Sequence, residues 1–131
     1  KNVPMGDLGT TDKGTMKGAV AYLLSSLQEK FPNTLIIGVT CWEVGGIPND
    51  QGYTCSEYGE AFIEVCEKMG VPCINAMDSE TIGVHMTDAN FRRQYCISYD
   101  DISHLNEEGM KLVLPAFEKQ IGEMYQEFLK K

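Results

Sequence analysis

The run Thr34-Leu35-Ile36-Ile37-Gly38-Val39-Thr40 decides how this chain is read. It is almost unbroken in its apolar character, follows the turn signal Phe31-Pro32-Asn33 and is shorter than an ordinary helix. A run of that kind predicts a strand covered on both faces, as in a parallel sheet. Before it, Met16, Ala19, Val20, Leu23, Leu24 and Leu27 recur at the i, i+3, i+4 interval and predict a helix from about Thr15 to Lys30 with one buried face. After it, Cys41 to Tyr53 holds two adjacent glycines, Pro48 and Asn49-Asp50, and reads as a loop leaving the carboxyl end of the strand. Loops at that edge of open parallel sheets build binding sites, so Trp42 and Glu43 are candidates to line a pocket.

Further along, Thr54-Cys55-Ser56-Glu57 has capping-box spacing, and Tyr58, Ala61, Phe62, Val65, Cys66 and Met69 carry a helix up to Gly70. Val71-Pro72-Cys73-Ile74-Asn75-Ala76 predicts a second strand, with proline tolerated at its start. The alternation of helix and strand indicates an α/β layered sheet with right-handed crossovers. Met77 to Tyr99 reads as a long irregular segment carrying His85, Asp88 and Arg92-Arg93; His85 is expected at the surface or a pocket rim and not as a metal ligand. A last helix is expected after Asn106, with Met110, Val113, Leu114, Phe117, Ile121, Met124 and Phe128 on one stripe and a kink at Pro115.

A chain of 131 residues with 43% hydrophobic content fits one globular domain or part of one. The net charge of −8 opposes binding to nucleic acid or an anionic membrane and suits a small uncharged or cationic partner. No apolar run approaches the roughly 20 residues that cross a bilayer. The five cysteines, Cys41, Cys55, Cys66, Cys73 and Cys96, include no C-x-x-C pair and do not resemble a zinc site or a small disulfide framework. Most are expected to be buried thiols, with packing roles for Cys66 and Cys73, and their odd number favours a reducing compartment.

Chemistry concentrates in Asp100-Asp101-Ile102-Ser103-His104-Leu105-Asn106-Glu107-Glu108-Gly109. In a tight loop entering a helix, an aspartate three residues before a histidine can fold back and accept a hydrogen bond from one ring nitrogen, leaving the other to act as a base. Nucleophilic acyl transfer needs that division of labour, because the carboxylate fixes the tautomer and steadies the imidazolium. Set against this, aspartate is common before helices as a cap and a first-turn histidine is often merely solvated, so spacing alone does not decide.

The layout resembles the SGNH or GDSL-like hydrolase superfamily, whose final motif is Asp-x-x-His, then Leu or Pro, often Asn, and a Gly before the last helix. Here those positions are Asp101, His104, Leu105, Asn106 and Gly109, with Ile102 where a glycine is common. The resemblance implies the C-terminal part of a flavodoxin-like three-layer α/β/α fold, residues 1–131 forming a single partial domain. It implies His104 as general base and Asp101 as its orienter, a small ester substrate, no cofactor and no metal. The serine nucleophile and the oxyanion Gly and Asn have no counterpart here. Gly6-Asp7-Leu8 starts like the nucleophile motif but has no serine and reads as a turn, while Asn2-Val3-Pro4-Met5-Gly6 resembles the stretch after a Gly-x-Asn-Asp motif. The isolated chain is therefore expected to be inactive, and to self-associate or pair with the missing N-terminal part through an open apolar strand edge. Two other readings stand beside it: a thiol hydrolase using Cys41 with His104, and a non-catalytic interaction module built on the sheet edge and the Trp42 loop.

Overall fold

The computed structural model describes residues 2–131. In chain order the elements are α1 (Met16–Lys30), β1 (Gly38–Val39), α2 (Cys55–Lys68), β2 (Cys73–Ile74), α3 (Ser79–Ile82), α4 (Ala89–Tyr95) and α5 (Glu107–Leu129). The architecture is mixed α/β, mostly helical, around a small parallel sheet in which Gly38 pairs with Cys73 and Val39 with Ile74. The ladder is closed by Gly38 N–H donating to the Pro72 carbonyl at 2.8 Å and Thr40 N–H to the Ile74 carbonyl at 3.1 Å.

Both strands are shorter than the sequence predicts, because among the described residues each has a single partner and the flanks of Thr34–Thr40 and Val71–Ala76 run without a ladder. Successive residues of β2 still point to opposite sides. Cys73 packs with Leu24 of α1 and Val65 and Cys66 of α2, while Ile74 packs with Ile82 of α3, Phe91 of α4 and Val113 of α5. Helices thus cover both faces of the strand. Full burial of side chains such as Val65 and Ile74 contributes about 1.5–3 kcal/mol each. Gly38 allows the close approach of α2: a Cβ there would lie 2.8 Å from the Phe62 ring and 2.9 Å from Cys66 Sγ.

The helix starts agree with the local chemistry. Thr15 accepts from Gly18 N–H, Thr54 and Glu57 form a reciprocal capping box, and Asn106 accepts from Gly109 N–H. Three expectations are corrected. The segment read as irregular contains α3 and α4, capped by Asp78 and Asp88, and contributes Ile82, Val84, Met86, Phe91 and Cys96 to the core. The helix α5 spans Glu107–Leu129 with Pro115 inside it, as expected. Its apolar stripe is only partly covered, with Val113 buried but Met110, Leu114 and Ile121 exposed, and in α1 Leu23 is exposed while Leu24 is buried. Finally, Cys66 and Cys96 are buried, Cys73 is intermediate, and Cys41 and Cys55 are exposed, so most of the thiols are not interior.

Candidate active site

Residues 98–103 form a loop pinched at its base. Cys96 bridges Leu105 in antiparallel sense, Ile97 N–H donates to the His104 carbonyl at 3.1 Å, and Asn106 N–H donates to the Tyr95 carbonyl at 2.8 Å. Within the loop, Asp101 Oδ1 accepts from the backbone N–H groups of Ser103 and His104, both at 2.8 Å. This turn brings the side chains together: His104 Nδ1 lies 3.0 Å from Asp101 Oδ2 and 3.2 Å from Oδ1. The Ser103 N–H, then the His104 N–H and ring, hold the Asp101 carboxyl below the usual carboxylate range. An ionised carboxylate only accepts, so the neutral ring in this contact carries its hydrogen on Nδ1 and keeps a lone pair on Nε2. The Asp101 side chain is 22% exposed and that of His104 69%, so the orienting group is sheltered and the ring is open.

Three side chains hold the loop. Arg92 of α4 donates from Nε to the Tyr99 carbonyl and from Nη1 to the Met86 carbonyl, each at 2.6 Å, fixing the entering limb. The Trp42 indole N–H donates to the Ser103 carbonyl at 3.1 Å, and its ring meets Phe117 of α5 edge-on with centroids 6.2 Å apart. Trp42 is itself anchored two residues after Thr40, whose hydroxyl accepts from Ala76 N–H at 2.8 Å and so joins the ends of β1 and β2. On the leaving limb, the Asn106 Nδ2 group donates to the Gln94 and Cys96 carbonyls at 2.9 and 3.1 Å, while its Oδ1 caps α5. Serine or aspartate could cap the helix but could not supply those two donated bonds.

Asp101, His104 and the Trp42 loop therefore meet at one place. Arg92 and Asn106 were not foreseen as supports of this loop. Asn106 was visible only as a helix cap, and nothing local to Arg92 indicates that it grips a carbonyl seven residues ahead. His85 is exposed and rests its ring edge-on against Phe91, centroids 5.8 Å apart. The Cys41 thiol makes its contacts with Cys55, and partial burial of its sulfur from water, then Cys55 itself, push its pKa up to about 11, opposite to the shift an attacking thiolate needs. Among the described residues no group of three or more His, Cys, Asp or Glu side chains gathers to hold a metal ion, and no helix is long and apolar enough to cross a membrane. A groove of about 710 Å³ lies elsewhere, between the end of α1, the approach to β1 and the last turns of α5, and Asp101, His104 and Trp42 do not line it.

No family model and no curated protein matches the chain. Solved structures do. One crystal structure has a TM-score of 0.78 at 27% identity, covering 93% of this chain and 58% of its own. Another, of a protein from Lactobacillus plantarum, has a TM-score of 0.80 at 21% identity, covering 93% of this chain and 60% of its own. The chain thus shares its α/β fold with these proteins and spans less than two thirds of their length.

Proposed function

We propose that residues 1–131 are the C-terminal part of an SGNH or GDSL-like serine ester hydrolase with a flavodoxin-like three-layer sheet, and that Asp101 and His104 are its orienting acid and general base. One observation carries the reading: a carboxylate anchored by two backbone N–H groups holds Nδ1 of an exposed imidazole at 3.0 Å, leaving Nε2 to accept a proton. The partial coverage of the solved structures fits a nucleophile supplied by sequence outside this chain.

In the proposed reaction a serine oxygen attacks the acyl carbon of a small ester, with acetyl esters and carbohydrate esters as the substrate class, while its proton passes to His104 Nε2. Asp101 stabilises the imidazolium through Nδ1–H. The leaving alcohol takes that proton, and water activated by the same nitrogen releases the acid. Trp42 would border the substrate while bracing the loop through the Ser103 carbonyl. Loss of a single oxyanion donor costs about 10²–10³ in turnover, and loss of the nucleophile leaves only about 10³–10⁴ over water. The isolated chain, with neither, is expected to be inert.

The test is hydrolysis of p-nitrophenyl acetate by this chain joined to the rest of its domain. The complete protein should be active, and His104→Ala should lower kcat by about 10³-fold or more. An inert complete protein, or full activity in His104→Ala, would reject the proposal.

A further inference from the structure

Cys41 and Cys55 are the two exposed thiols, and both stand on fixed backbone. Cys41 directly follows Thr40, which is bound to the end of β2 through the Ala76 N–H, and Cys55 is the first residue of α2, inside the Thr54–Glu57 capping box. From those separate anchors their sulfurs come within 3.3 Å of each other. A disulfide has S–S of about 2.05 Å, so closure requires movement on the order of 1 Å, within reach of side-chain torsion. We propose that Cys41 and Cys55 are a modification site that forms a reversible intramolecular disulfide by exchange with small disulfides such as oxidised glutathione.

The chemistry balances without a further reductant or oxidant. Cys55, deprotonated, attacks one sulfur of oxidised glutathione, forming a mixed disulfide and releasing one glutathione thiolate. Cys41 then loses its proton and attacks the Cys55 sulfur, forming the protein disulfide and expelling the second glutathione as its thiolate. With Cys55 as the first attacker, its capping by glutathione removes the neighbouring thiol that, after the partial burial of the sulfur, raises the Cys41 pKa. The product closes a loop that contains Trp42, the residue whose indole holds the Ser103 carbonyl beside His104. The proposal does not depend on the chemistry assigned to His104, because its readout is the state of the thiols.

The experiment is incubation of the protein with oxidised glutathione at mildly alkaline pH, followed by intact mass and non-reducing peptide mapping. The expected product has lost two hydrogens, carries no glutathione and yields a linked pair of peptides containing Cys41 and Cys55. Cys41→Ser should stop at the glutathione adduct on Cys55, and Cys55→Ser should give no Cys41 crosslink. The proposal is overturned if the wild-type protein keeps both thiols, stalls as a glutathione adduct, or instead links Cys66 to Cys73, the other neighbouring pair.

Discussion

Asp101 is the residue on which the site turns, because its Oδ1 alone accepts two backbone N–H groups and its Oδ2 faces the imidazole. Asp101→Asn would present an amide that can donate to Nδ1, favouring the wrong tautomer, and should lower the proposed ester hydrolysis by about 10³–10⁴-fold. A rate within a few-fold of wild type would mean that the carboxylate only shapes the loop. The depressed Asp101 pKa also sets a pH dependence. An aspartate whose folded value lies below its unfolded value, about 3.9, contributes stability that is fully present above the unfolded value and is lost as pH falls through the folded one. Protection of the Ser103 and His104 amides from exchange should therefore hold down to about pH 4 and decline below it; protection that falls away near neutral pH would contradict this. The pairing of Asp101 with His104 was legible because only two residues separate them and the turn is local. The grip of Trp42 on Ser103 was not, because they stand 61 positions apart and only the packing of the loop after β1 against α5 brings them together.

Among the elements, α5 carries the most testable sequence choices. Pro115 sits inside a helix that continues around it, without an N–H to donate to the carbonyl one turn earlier. Pro115→Ala should therefore stabilise the protein, by up to about 3 kcal/mol in chemical denaturation, and a loss of stability would show that the ring packs against something a helix methyl cannot replace. Gly109 acts in the opposite direction, since a Cβ there would lie 2.3 Å from the Tyr95 carbonyl oxygen and 3.0 Å from Leu105. Gly109→Ala should destabilise by about 1–3 kcal/mol, because rigid backbone has to give way. The three long helices were readable from periodicity and caps. The short α3 and α4 were not, since helices of four and seven residues show too little periodicity. Their signals were the caps Asp78 and Asp88, whose side chains accept from Thr81 and Asn90. The strands were located correctly but drawn too long, because sequence marks where apolar residues run and pairing depends on how many neighbours the strand has.

At the scale of the whole molecule, the uncovered apolar surface matches the shortened strands. Leu23 of α1, Val39 of β1 and Leu114 and Ile121 of α5 are 55%, 47%, 53% and 43% exposed, and β1 is paired on one side among the described residues. An apolar strand edge with free backbone groups is a template for another chain. The isolated chain should accordingly sediment as a dimer or larger species, or bind the remainder of its proposed domain, and a stable monomer at high dilution would contradict that. The proposed chemistry rests on Asp101 aiming the His104 ring so that Nε2 is the free base. A long-range proton–nitrogen correlation spectrum of the His104 side chain reads this directly. In its neutral form the ring should carry its hydrogen on Nδ1 with Nε2 bare, shifting towards the Nε2–H form in Asp101→Asn. A neutral wild-type ring protonated on Nε2, unchanged by that substitution, would contradict it.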